Sequence, residues 1–196
     1  GYYEPEIAGS RVAGPGYAPV YRTPADLLSL NLGQFSSDLA GKTVRGRVSG
    51  NTLVPYFDRA EIDAGALAGR GLELAWAVDP VELFFLQIQG SGRLRFPDGS
   101  IMRIGYDGQN GRAYVAIGAR MREQGLIQSP VTMQSIMDWL RANTVEGRRI
   151  MELNPSFVFF RELKGAGPLG ALGRPVTPRV SVAADPNFVP LGAPVW

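Results

Sequence analysis

Arg93-Leu94-Arg95-Phe96-Pro97-Asp98-Gly99-Ser100-Ile101-Met102-Arg103-Ile104 is the stretch from which the fold class is read. Its two flanking runs alternate, and Pro97-Asp98-Gly99 turns the chain between them, which is the pattern of a β-hairpin with one buried face. Around it, 25 Gly and 15 Pro in 196 residues keep every periodic segment short. That punctuation favours a β-rich α+β protein over a helical bundle.

Helical spacing appears C-terminal to the hairpin. Tyr114 to Gln124 carries Ile117 and Met121 and stops at Gly125, while Met133, Ile136, Met137 and Leu140 form an i, i+3, i+4, i+7 stripe. Glu146 to Leu153 reads as a further helix ended by Pro155, and Phe157-Val158-Phe159-Phe160 as a strand. Stripes of Met and aromatic residues at this spacing predict core packing. N-terminal to the hairpin, Asp79-Pro80-Val81-Glu82 and Asp58-Arg59-Ala60-Glu61 are cap-and-return helix starts, and Thr23-Pro24-Ala25-Asp26 has the same form. Tyr2 to Glu4 and Tyr17 to Tyr21 read as strands, and Asn31 to Ser49 as a long loop or a weak strand. Gly165 to Trp196 returns to Gly, Pro and short β-like runs such as Val180-Ser181-Val182. A helix-containing unit inserted into a β domain built from both ends of the chain is the organisation this texture suggests. The abrupt start at Gly1 and stop at Trp196 suggest a piece of a longer protein.

Composition removes several chemistries. With no Cys and no His, thiol nucleophiles, Ser-His-Asp arrangements, the usual zinc ligand sets and imidazole acid/base catalysis are out of reach. Proton transfer falls to Asp, Glu, Tyr or the two lysines, Lys42 and Lys164. No metal and no cofactor is expected. A net charge of +2 without a block of like charges argues against a nucleic-acid partner, and no 18-residue apolar run is present to span a bilayer.

Two segments combine glycine with neutral polar groups. Gln87-Ile88-Gln89-Gly90-Ser91-Gly92 offers close backbone approach with amide and hydroxyl partners, or is simply a Gly-rich strand entrance. Tyr106-Asp107-Gly108-Gln109-Asn110-Gly111-Arg112-Ala113-Tyr114 contains the Asn-Gly turn signal together with amides and two tyrosines. Turn chemistry explains the first part; the crowding of amides and rings suits a sugar surface. Among the carboxylates, Asp58, Glu61, Asp79 and Glu82 read as helix caps and Asp185 as a turn initiator, and their spacing identifies no general-acid pair.

Gly1-Tyr2-Tyr3-Glu4-Pro5 resembles the G-Y-Y-x-P opening of MltA-type lytic transglycosylases. Phe84 to Gly92, Gly105 to Gly118, Met133 to Trp139, Asn154 to Arg161 and Ser181 to Val195 resemble the same family's segments in the same order, and the likeness is weakest from Ser29 to Thr52. The resemblance implies a split double-psi β-barrel with an inserted β-rich domain carrying several helices, the glycan lying between the two. Residues 1–55 with 161–196 are then the incomplete barrel, and 56–160 the insert. It further implies cleavage of the MurNAc-GlcNAc β-1,4 bond of peptidoglycan with formation of 1,6-anhydro-MurNAc, one aspartate serving as acid and then base. Substrate contacts are expected from Tyr3, Gln89, Ser91, Tyr106, Gln109, Asn110 and Tyr114. Of the family's three barrel aspartates, Asp185 matches only the first, so it is accessory at most and the main acid is expected beyond Trp196. A non-catalytic peptidoglycan-binding module is the alternative. Family likeness also implies a periplasmic, outer-membrane-associated protein held by a lipid anchor outside this chain.

Overall fold

The computed structural model describes residues 4–165. Strands β1 (Glu6–Ser10) and β2 (Ala18–Tyr21) are followed by β3 (Leu28–Asn31), two single-turn 3-10 helices, β4 (Thr43–Ser49) and β5 (Thr52–Pro55). Then come α1 (Arg59–Asp63), β6 (Glu73–Ala77), α2 (Pro80–Gln89), β7 (Ser91–Arg95) and β8 (Ile101–Gln109). Helices α3 (Ile117–Glu123), α4 (Met133–Ala142) and α5 (Thr144–Glu152) lead to β9 (Val158–Glu162).

The expected hairpin is present as β7 and β8, paired from Ser91 opposite Gly105 to Arg95 opposite Ile101. It sits inside a six-stranded sheet of order β2-β6-β1-β7-β8-β9. Only the β1–β7 pair is parallel. The two outermost strands, β2 and β9, approach each other, and Tyr21 stacks obliquely on Phe157 at 6.3 Å between ring centres. The sheet therefore curls strongly, but the described residues form no closed barrel. A separate antiparallel sheet, β3-β4-β5, occupies the segment expected to be loop or weak strand.

Helix α2 is the hinge of the packing. Asp79 accepts from the Val81 amide, Pro80 opens the helix, and Gly90 closes it in the left-handed region at φ 84°. Leu83 and Leu86 enter the sheet core with Leu94, Ile104 and Phe160. Val81 and Phe84 enter a second core with Met121, Ile136 and Leu140 of α3 and α4. A third core gathers Tyr21, Tyr56, Ile62, Phe157 and Phe159. Because β1 and β2 hydrogen-bond into the same sheet as β6–β9, pairing crosses the division expected near Tyr56, itself fully buried.

Thr23-Pro24-Ala25-Asp26 does not start a helix; it is a turn. Tertiary partners take its capping groups: Thr23 donates to Asp107 at 2.6 Å, and Asp26 accepts from Tyr56 at 2.7 Å and from Arg70 at 3.0 Å.

Candidate functional site

Strand β8 gathers most of the expected residues. Midway along it, Ser91 pairs with Gly105, and a Cβ on Gly90 would lie 3.9 Å from that of Tyr106. The exposed Gln89, closing α2, and the exposed Tyr106 ring are thereby neighbours through a glycine turn. The strand then bulges: its register against β9 shifts between Tyr106 and Gly108. An extra residue at a bulge bends the strand and re-aims its side chains. Here it turns Asp107 out to accept from Thr23, and it lets Gly108 pass beneath that threonine, whose Oγ1 would stand 3.1 Å from a Cβ. Farther on, the Gln109 carbonyl accepts from Arg45 Nη1 at 2.8 Å. At Gly111, φ is 81° and a Cβ would lie only 2.6 Å from that of Arg45, so glycine is required twice over. From Tyr106 to Gln109 the ridge is about 10 Å long at ~3.3 Å per residue.

Asn110 does not belong to this ridge. It is fully buried, and its amide is committed to the scaffold. Nδ2 donates to the carbonyls of Phe57 and Pro155, both at 2.9 Å, while Oδ1 accepts from Phe157 N at 3.0 Å and Arg112 N at 3.3 Å. With all four contacts internal, nothing remains for a ligand. The Asn-Gly turn signal was legible in the sequence, but the role of this side chain in pinning three distant segments was not. Tyr114 is exposed beyond the pinned loop and makes no ring contact with Tyr106. Tyr3 and Asp185 lie outside the described residues.

The local sequence also builds a feature that pattern reading missed. A cavity of about 640 Å³ opens between β2, α1, α2, α4 and α5. Arg59, read as part of a helix start, is buried there between Phe84 and Phe157, its guanidinium 4.7 and 5.1 Å from the two ring centres. Burial pulls it down to about 10, with Asp63 and Glu152 opposing, so it is cationic at neutral pH. Asp63 lines the same cavity and keeps an exposed face. Desolvation among its packed neighbours nonetheless raises its carboxyl to about 6, Arg59 opposing and Glu152 reinforcing. Gln87, from the first glycine-rich segment, turns inward to this cavity, whereas Gln89 two residues on faces solvent. The signal available in sequence was the Phe84-to-Gln87 spacing of three on one helix, which places both on one face.

Comparison with known proteins gives one consistent result. The family model described as the MltA specific insert domain matches residues 1–161. A Vibrio cholerae protein named membrane-bound lytic murein transglycosylase A is 41% identical over 140 residues, covering 70% of this chain and 38% of that protein. The protein of the same name from Escherichia coli K12 is 34% identical over 196 residues, covering 98% of this chain and 46% of its own. Among solved structures, MltA from Neisseria gonorrhoeae superposes with a TM-score of 0.83 at 35% identity, covering 99% of this chain and 56% of that one. E. coli MltA with bound chitohexaose gives a TM-score of 0.72 at 31% identity, covering 97% and 50%. The chain thus spans less than half the length of these curated relatives.

Proposed function

Since the chain belongs to the MltA family, we propose that it is the glycan-holding part of a peptidoglycan lytic transglycosylase. The observation that carries this reading is the ridge of neutral groups on and beside β8, the exposed Gln89 and Tyr106 with the half-buried Ser91 and Gln109, next to a bulge tied to Thr23 and Arg45. Amides read N-acetyl groups and aromatic rings cover pyranose faces, so this set suits an amino-sugar strand. A relative with this fold binds chitohexaose, a strand of such sugars. Tyr114 extends the surface on the far side of the buried Asn110.

The reaction proposed is cleavage of the MurNAc-GlcNAc β-1,4 bond. One aspartic acid protonates the departing oxygen, the 6-hydroxyl of the same muramic acid attacks C1, and the resulting carboxylate takes the hydroxyl proton. The product is 1,6-anhydro-MurNAc, and neither water nor a cofactor enters the balance. A single carboxyl held near neutrality serves both steps. We place that carboxyl beyond Trp196, with Asp185 in a supporting position.

The architecture proposed for the complete protein is a split double-psi β-barrel interrupted by the body described above. The sheet shared by β1, β2 and β6–β9 and the family match over 1–161 support redrawing the insert, so that it begins before Tyr56 rather than at it. No helix among the described residues is long and apolar enough to cross a membrane. The relatives are named membrane-bound. We propose a periplasmic location with attachment to the outer membrane through a lipid anchor outside this chain.

The test is mass spectrometry of murein digested with the full-length protein. Anhydro-muropeptides are expected. Reducing muropeptides would mean hydrolysis, and murein bound without cleavage would leave the chain a binding module.

A further inference from the structure

The segment 154–158, which leads from α5 into β9, has two edges, and they are used differently. On one, the Phe157 amide and carbonyl are both taken by Asn110. On the other, the carbonyls of Asn154 and Ser156 accept from Arg59 at 3.0 and 2.6 Å, and that of Val158 accepts from Gln87 at 3.3 Å. Carbonyls two residues apart on a strand point the same way at a spacing of about 7 Å. Arg59 and Gln87 are therefore set side by side along one edge, at the back of the cavity that both line.

Covering a sheet edge is a sufficient structural reason for both side chains to be buried. It leaves two things over. Gln87 is 4% exposed, and its Oε1 has no hydrogen-bond partner among the described residues. Arg59 is 5% exposed and among the described residues its guanidinium bonds only backbone carbonyls; Asp63 acts on it electrostatically without reaching ion-pair distance. Both side chains line the same cavity, Arg59 without an ion-pair partner among the described residues and Gln87 with an Oε1 that is closed off from water. That space is far larger than one bridging water, which occupies about 30 Å³, and falls within the ~300–1,000 Å³ of small-ligand sites. Its lining includes the apolar Phe84, Leu83, Ile62, Phe157 and Met151, together with Asp63, Asp79, Arg141 and Arg148.

We propose that this cavity is a second ligand site, distinct from the β8 ridge, and that it takes the carboxylate end of a short acylated peptide. The carboxylate lies on Arg59, Gln87 turns its Oε1 to accept from an amide N–H of the ligand, and small apolar side chains rest against Phe84 and Phe157. Planar guanidinium is suited to carboxylate, and a peptide carries amide N–H donors within a residue or two of its terminal carboxylate. Such a group occurs on free peptides and on the peptide stems of peptidoglycan; assigning the stem as its source rests on the glycan reading above, whereas the site itself does not.

The experiment is calorimetric titration of the full-length protein with N-acetyl-alanyl-alanine, as the L,L and D,D isomers, and with the C-terminal amide of each. Saturable binding of at least one free acid is expected, weakened about tenfold or more in its amide and about tenfold by Gln87→Leu. Met151→Trp, which narrows the cavity from α5, is expected to abolish binding, with a cooperative urea transition showing that the variant is folded. Absence of saturable binding to the parent protein, or binding unaffected by both substitutions, overturns the site. A disaccharide muropeptide that retains its stem peptide is titrated alongside: tighter binding than the free peptide assigns the stem, and equal or weaker binding assigns free peptide. Murein cleavage is followed in the parent and in the same variants. In the parent protein, cleavage without peptide binding removes this site alone, and peptide binding without cleavage removes the catalytic reading alone; in the variants, loss of peptide binding with cleavage retained is the result expected of a separate site.

Discussion

Replacing Asn110 by alanine separates a scaffold residue from a sugar contact. Four internal contacts disappear, but they do not cost equally. The Pro155 carbonyl keeps the Arg59 amide at 3.1 Å, and Arg112, half-buried, can turn its amide to water. The buried Phe157 amide loses its partner with no replacement, and the carbonyl of the half-buried Phe57 loses one as well. A buried group left unmatched costs about 1–3 kcal/mol and a half-buried one less, so the substitution should destabilise by roughly 1–4 kcal/mol, with about 3 expected once the small void is included. Against a typical stability of about 5–15 kcal/mol that is a large fraction, yet the protein remains measurable in urea. Asn110→Asp keeps the acceptor for Phe157 but sets a carboxylate oxygen against two carbonyls, and should be at least as damaging. Gln109→Ala, which spares the backbone bond to Arg45, should change stability by less than about 0.5 kcal/mol. Equilibrium urea unfolding at constant slope is the assay. A loss below about 1 kcal/mol for Asn110→Ala, accompanied by weaker binding of chitooligosaccharides, would refute the scaffold assignment and return this residue to the ligand surface.

Three further outcomes follow from exposure, charge and capping. Gln89→Ala and Tyr106→Ala should each weaken chitohexaose binding about tenfold, as loss of one stacking or amide contact does, while leaving the unfolding midpoint unchanged; unchanged affinity in titration calorimetry would remove the β8 ridge from the site. Asp63 holds its proton up to about 6 in the folded chain against an ordinary value of 3.8, so the folded state binds more protons between those limits. Its contribution to stability is present below the ordinary value and is lost as pH rises through 6; Asp63→Asn should flatten the stability profile across that interval, and a slope equal to the parent's would contradict the assignment. Thr132 and Ser135 form a reciprocal cap at the start of α4, so Thr132→Ala should cost about 1 kcal/mol by thermal or urea unfolding.

The comparison of sequence with structure turns on range. The β7–β8 hairpin, α3, α4 and α5 were legible because alternation, helical stripes and caps are local; the three helices and β7 sit within two or three residues of the expected positions, while β8 runs five residues past the expected Ile104. Strands β1 and β6 carried too few alternating residues to stand out. They exist because β1 is held between β6 and β7, partners more than 60 residues away. Thr23-Pro24-Ala25-Asp26 had the capping signature, yet its hydroxyl and carboxylate are drawn to Asp107, Tyr56 and Arg70. Local propensity loses there because distant partners satisfy the same groups better.

The same rule explains which parts of the site could be read in advance. Gln89, Tyr106 and Gln109 were identifiable as an amide and aromatic set, since residues on one strand and its flanking turn are neighbours by construction. Asn110 was assigned to that set because residue type carries no sign of burial, and its partners Phe57, Pro155 and Phe157 lie about 50 residues to either side. Arg59 and Gln87 were missed for the complementary reason: one looked like a helix cap and the other like part of a glycine loop. Segment 154–158 brings these facts together. Its alternating backbone groups face Asn110 on one edge and Arg59 with Gln87 on the other, so a single short strand entrance positions the floor of the β8 ridge and the back wall of the cavity. A substitution that shifts this segment, such as Asn110→Ala, should therefore lower peptide affinity in the cavity as well as stability, whereas Gln89→Ala should leave the cavity untouched. Equal peptide affinity in a folded Asn110→Ala protein would show that the two edges are independent.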